Sequence, residues 1–152
     1  MISALAISYN EESNIEKFIE SLSFADEIII VDSNSTDKTV DIANKYNCKI
    51  LQRKFDNFSN QKNHALQFAN CDWVLFVDAD ERIPFQLQVQ IIDAMNSGKH
   101  NGFKLKFPQP KLSPIQLFHA QSINLDKSFL HVYLPELYHL VLRLHLNFRC
   151  PH

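Results

Sequence analysis

Glu27-Ile28-Ile29-Ile30-Val31-Asp32-Ser33-Asn34-Ser35-Thr36-Asp37 is the stretch on which the fold turns. Four β-branched residues in a row, with no polar alternation, suit a strand buried on both faces, as in a parallel sheet sandwiched by helices. The polar cluster behind them supplies turn and helix-cap residues. The same pattern recurs on either side. Upstream, the apolar run Ile2 to Ser8 precedes Ser13-Asn14-Ile15-Glu16, which has capping-box spacing, and then Ile15, Phe18, Ile19 and Leu22 at helical intervals. Downstream, a helix is expected to about Tyr46, a third strand at Cys48 to Leu51, and a helix capped by Ser59 that turns Ala65, Leu66, Phe68 and Ala69 inward. Trp73 to Val77 is a fourth strand, and Pro84 opens a helix through Leu87, Ile91 and Met95 that closes near Gly98. Phe103, Leu105 and Phe107 alternate with Lys104 and Lys106, predicting a half-exposed fifth strand. The fold class is therefore α/β, a mainly parallel sheet flanked by helices.

Composition narrows the function. A chain of 152 residues, 45% hydrophobic and 21% charged, forms one domain with a real core. Its net charge of -2 gives no electrostatic footprint for nucleic acid. Residues 1–102 carry fifteen acids and nine bases, whereas residues 103–152 carry two acids and six bases, so the two parts differ in character. Gly98 and Gly102 are the only glycines, which excludes the glycine-rich phosphate loops of P-loop and dinucleotide-binding domains. A nucleotide diphosphate here would need a cation held by carboxylates instead. Three cysteines without C-x-x-C spacing suggest neither a disulfide framework nor a zinc site, and point to a reducing, cytoplasmic compartment. Met1 to Ser8 lacks the basic flank of a signal peptide, and no apolar run approaches the roughly 18 residues of a spanning helix.

A boundary is expected near residue 108, where Pro108, Pro110 and Pro114 break regular structure. Residues 1–107 then form the functional domain and 108–152 an atypical tail, expected to be a truncated or frame-shifted end of a longer chain. From Leu140 to Phe148 the pattern fits a strand by alternation, while Leu137, Leu140, Val141 and Leu144 fit a helix stripe. The tail histidines, His119, His131, His139, His145 and His152, include no adjacent pair four apart, so no preformed helical metal site is expected.

In open parallel sheets the ligand lies beyond the carboxyl ends of the strands. Every polar cluster noted here lies there: Ser8-Tyr9-Asn10-Glu11, Asp32 to Asp37, and Asp78-Ala79-Asp80. Asp78 and Asp80 are one residue apart, so at a strand end both carboxylates point the same way and repel unless a cation joins them. Mg2+ or Mn2+ takes one or two carboxylates and completes its shell with phosphate and water oxygens. The alternative is that Asp80 or Glu81 caps the next helix and Asp78 satisfies a strand-end amide. Asp32 either accepts from a base or ribose or is a turn acid, and Ser35, Thr36 and Asp37 read as helix-capping residues. Lys62 and Asn63 either meet a phosphate or base or lie on a solvated helix face.

Taken in order, Ala6-Ile7-Ser8-Tyr9-Asn10-Glu11-Glu12, Val31 to Asp37, Gln61-Lys62-Asn63 and Val77-Asp78-Ala79-Asp80-Glu81 make a pattern over about a hundred residues. It resembles the family 2 inverting glycosyltransferases of the GT-A fold, especially those resembling lipopolysaccharide core beta-1,4-glucosyltransferases. The resemblance covers residues 1 to about 107. It implies that Tyr9, Glu11, Asp32, Lys62 and Asp78 bind the nucleotide, and that Asp78 and Asp80 hold a divalent metal, Mg2+ or Mn2+, on a UDP-sugar such as UDP-glucose. It further implies a glycan or lipid-linked acceptor and peripheral contact with the inner face of a membrane. Such a displacement at the anomeric carbon wants a general base, which the family takes from its second half. Asp126 and Glu136 are the only tail carboxylates, and neither sits in a matching motif, so the base stays unassigned. Two other readings are a nucleotide-sugar-binding remnant without turnover and a phospho-receiver module. The latter wants a lysine at a later strand end, and Lys106 belongs to an alternating strand face.

Overall fold

Strand β1 (Ile2–Ser8) lies at the middle of a six-stranded sheet of order β3-β2-β1-β4-β6-β5. The structure is a computed structural model and describes residues 1–98, 102–105 and 115–119. β2 (Glu27–Asp32) and β4 (Trp73–Phe76) flank β1 in parallel, and β3 (Lys49–Gln52) pairs in parallel with β2. β6 (Ile115–His119) runs antiparallel to β4 and pairs on its other side with β5 (Gly102–Leu105), also antiparallel.

Side-chain alternation splits the core into two layers. On one face Ile2, Ala4, Ala6, Ile30, Trp73, Leu75 and Val77 meet Ile15, Phe18 and Ile19 of α1 (Ile15–Ser21), Ala43 of α2 (Thr39–Ala43), and Leu87 and Ile91 of α4 (Phe85–Asn96). On the other face Leu5, Ile29, Val31, Val74 and Phe76 meet Ala65 of α3 (Phe58–Leu66), with Phe68 and Ala69 packed beside it. The isoleucine run of β2 is thus used on both sides, as an unalternating strand requires.

The chain steps outward from β1 through β2 to β3, then crosses back under α3 to place β4 on the far side of β1. That reversal makes the carboxyl ends of β1 and β4 the topological switch point of the sheet, where open α/β sheets characteristically take their ligands.

Several local expectations change. α1 is not capped by Ser13: the Glu11 carbonyl accepts from the backbone N–H groups of Asn14 and Ile15, so the turn closes one step earlier. α2 ends at Ala43 rather than near Tyr46, and Tyr46 instead donates its hydroxyl to Glu16 Oε1 (2.8 Å), tying the loop to α1. The cap of α3 is Asn57, whose side chain accepts from the Asn60 N–H (2.8 Å), not Ser59. A strand follows Pro114 where none was expected, because its pairing with β4 is set by a distant partner and not by local pattern. The fifth strand is present over Gly102–Leu105; Lys106, Phe107, the region Leu140 to Phe148 and the tail other than residues 115–119 lie outside the described residues.

Glu27 ties the amino ends of the strands together. Its carboxylate accepts from Ser3 Oγ (2.7 Å), the Asn70 N–H (3.0 Å) and Asn70 Nδ2 (2.7 Å). Burial works against its charge, yet the hydrogen bonds from Ser3 and Asn70, with Lys49 nearby, hold its pKa below the ordinary value. A carboxyl with a lowered folded pKa adds stability that is complete above its unfolded value and is lost as the pH falls through the folded one. Urea unfolding from about pH 7 to about pH 3 should therefore show stability falling on the acid side, with a shallower fall in Glu27→Gln. An identical acid limb in the two proteins would refute this role for Glu27.

Candidate functional site

The loops after β1 and β2 are laced together by short polar side chains. Asn10 and Asn34 both take left-handed backbone angles, φ 54° and 61°, which asparagine tolerates better than most residues. In that posture the Asn10 N–H donates to Ser35 Oγ (2.9 Å), while Asn10 Oδ1 accepts from the Thr36 N–H (2.8 Å). The Glu11 N–H donates to Thr39 Oγ1 (2.7 Å), and Asp37 accepts from the Thr39 and Glu12 N–H groups (2.9 and 3.1 Å). Ser35 and Thr36 thus stitch two loops together, and Asp37 alone of the expected trio serves the start of α2.

Asp32 is fully buried at the end of β2. Its Oδ1 accepts from Ser8 Oγ (3.1 Å) and Ser35 Oγ (2.5 Å), and its Oδ2 from the Ser35 N–H (2.8 Å). It organises the turn from within. Tyr9, by contrast, is 58% exposed on the loop beside it. Glu11 Oε2 accepts from Asn14 Nδ2 (2.8 Å), which orients its carboxylate toward the start of α1.

Beyond β4 the chain turns, the Asp78 carbonyl accepting from the Glu81 N–H (2.9 Å), and within this turn Ala79 is buried, Asp78 half-exposed and Asp80 exposed. Lys62, buried on α3, places Nζ 3.5 Å from Asp78 Oδ1. Structure therefore brings Lys62 and Asp78 into contact. Asn63, its neighbour, is half-buried on the same helix.

Two residues that sequence reasoning passed over hold this end of the molecule. Gln61 is fully buried; its Nε2 donates to Ser33 Oγ (3.0 Å) and the Arg53 carbonyl (3.1 Å), and its Oε1 accepts from Arg53 Nη1 (2.7 Å). It thereby joins the ends of β2 and β3 to α3, one residue from Lys62. Arg53 also forks onto Asp56 (2.8 and 2.9 Å), and that guanidinium holds the Asp56 carboxyl well below the usual range. Arg82 donates through Nη2 to the Asn14 carbonyl (2.8 Å) and through Nη1 to the Glu81 carbonyl (2.6 Å), fastening the Asp80 loop to the start of α1. The available signal was the polar run Gln61-Lys62-Asn63 for the first; an arginine two residues past Asp80 gave none for the second.

Over residues 3–152 the chain matches the family described as Glycosyl transferase family 2. The chain belongs to glycosyl transferase family 2. It is 38% identical over 109 residues to an uncharacterized glycosyltransferase of Rickettsia bellii (strain RML369-C), covering 69% of this chain and 37% of that protein. It is 37% identical over 87 residues to the lipopolysaccharide core biosynthesis glycosyltransferase LpsC of Rhizobium meliloti (strain 1021), covering 54% of this chain and 32% of that one. This family 2 chain thus spans about a third of the length of these curated relatives. Among solved structures, glucosyl-3-phosphoglycerate synthase from Mycobacterium tuberculosis, in complex with Mn2+, UDP and glucosyl-3-phosphoglycerate, matches with TM-score 0.67 at 21% identity. The match covers 80% of this chain and 57% of that one, and shows a GT-A-like fold.

The mycobacterial neighbour is in complex with Mn2+, which raises the question of what donor set this chain offers a cation. Among the described residues no group of three or more His, Cys, Asp or Glu is gathered. What the site offers is two accessible carboxylates, half-exposed Asp78 and exposed Asp80, on either side of the buried Ala79. Such a pair fits a hard cation that takes its remaining oxygens from phosphate and water. No helix among the described residues of this family 2 chain is long and apolar enough to cross a membrane.

Proposed function

We propose that this chain carries the donor site of a glycosyltransferase that moves a sugar from a UDP-sugar to a glycan or lipid-linked acceptor, with inversion at the anomeric carbon. The observation that carries this reading is that half-exposed Asp78 and exposed Asp80 follow β4 while the laced loops follow β1 and β2, all on the carboxyl side of the point where strand order reverses between β1 and β4. Tyr9 offers an exposed aromatic face for the base. Glu11 supplies a carboxylate acceptor to the nucleoside, while Asp32, fully buried, acts in nucleotide binding through the turn that it shapes. Lys62 lies close to the diphosphate, and Asp78 and Asp80 hold Mg2+ or Mn2+. When bound, that cation would offset charge on the departing diphosphate. The name of the Rhizobium relative supports a lipopolysaccharide-core acceptor, and the UDP complex of the mycobacterial neighbour supports a UDP-linked donor such as UDP-glucose.

Calorimetric titration of UDP, with and without Mn2+, tests the donor site; UDP release from UDP-glucose in the presence of a core oligosaccharide tests transfer. UDP is expected to bind at least about tenfold tighter with Mn2+ present. Failure of UDP to bind a folded sample in either condition overturns the reading. Metal-assisted binding without UDP release would convert it to a nucleotide-sugar-binding role without turnover.

A further inference from the structure

The Lys62 side chain is 8% exposed and that of Asp78 44%, so the ion pair between them, 3.5 Å long, has a buried cationic end and an accessible anionic one. The ammonium also stands 5.7 Å from the centre of the Phe76 ring, and the neighbouring Gln61 anchors this part of α3 to the ends of β2 and β3. Lys62 is therefore held in place by the fold, and the charge of Asp78 is partly neutralised before any ligand arrives. A carboxylate already paired with an ammonium is a poorer partner for a divalent cation, because the second positive charge is repelled by the first. A nucleotide diphosphate changes that balance, since its own oxygens offer the ammonium a new partner and add negative charge beside the cation.

We propose that Lys62 is the resting counter-ion of Asp78 and that it gives up this carboxylate only when a nucleotide diphosphate enters, so that cation loading is coupled to the nucleotide. The proposal rests on the donor-site reading above. Coupling of this kind is reciprocal: the factor by which the nucleotide tightens the cation equals the factor by which the cation tightens the nucleotide.

The test is Mn2+ titration of the full chain by calorimetry, with and without UDP, for the unaltered protein, K62M and K62R. K62Q is measured alongside, so that a folding defect confined to K62M does not decide the matter. The unaltered protein is expected to bind Mn2+ at least about tenfold tighter when UDP is present. K62M and K62Q should bind Mn2+ alone about tenfold tighter than the unaltered protein, with a correspondingly smaller effect of UDP, while K62R keeps the original pattern. If the unaltered protein binds Mn2+ with UDP but K62M and K62Q match it in Mn2+ affinity without nucleotide, the counter-ion role is overturned and the donor site stands. If the unaltered protein binds no Mn2+ with UDP, the donor-site reading falls and the counter-ion role falls with it.

Discussion

Asp78→Asn and Asp80→Asn are each expected to abolish the gain in UDP affinity that Mn2+ gives, a loss of at least about tenfold, equivalent to about 1.4 kcal/mol; without metal, Asp80→Asn should bind UDP as the parent does and Asp78→Asn, which removes the counter-ion of Lys62, somewhat tighter. The reason lies in the donor set: with only two outward carboxylates at the end of β4, loss of one charge removes half of what the protein offers a cation. Their effects on stability should differ. Asp80 is exposed, so its amide variant should unfold within about 0.5 kcal/mol of the parent. Asp78→Asn takes a negative charge from beside the buried Lys62 ammonium and should be measurably less stable. Calorimetry and urea unfolding on the two variants check both statements. Metal-dependent affinity that survives in both would remove the carboxylate pair from the site.

Phe18→Ala is expected to cost about 3–5 kcal/mol, a large share of the roughly 5–15 kcal/mol by which a domain of this size is stable. Phe18 is fully buried where α1 lies on the sheet, in the same layer as Ala4, Ala6, Ile30 and Leu75. Removing its ring leaves a cavity among strand residues that cannot shift without disturbing the hydrogen-bonded ladder between β1 and β2. The midpoint of urea unfolding measures the loss. A loss below about 1 kcal/mol would mean that this face is not packed as described.

Strands β1 to β5 were legible because their signal is local, whereas β6, placed by its pairing with β4, was not. The Ile28 to Val31 run announces burial on both faces from composition alone, and Glu27–Asp32 begins and ends where the sequence places it. Helix starts were less legible because three polar candidates compete within a few residues and the winner is chosen by tertiary contact. Asn57 prevails over Ser59 because its side chain reaches the Asn60 N–H, and Ser13 yields to the Glu11 carbonyl. The site shows the same division. The exposure of Asp78 and Asp80 was expected from strand alternation but arises in a turn beyond β4, and the hydrogen bonds that enclose Asp32 depend on Ser8, a residue in another strand. Gln61 lay inside a quoted motif and still escaped notice. A glutamine on a helix carries no sign of its burial until the ends of β2 and β3 are brought to it.

The position of β6 has a consequence for the order in which the molecule can be made. β5 precedes β6 in the chain, yet among the described residues it pairs only with β6, and β6 alone bridges it to β4 through the register Trp73↔His119 to Phe76↔Gln116. During synthesis, therefore, Gly102–Leu105 emerges with no seat in the sheet, and the outer side of β4 stays open until Ile115–His119 has followed. An open strand edge is a template for any extended segment nearby. A nascent chain stalled in that interval presents its neighbours with a vacant slot four residues long, and filling it promptly from within is what keeps one molecule from borrowing a strand from the next.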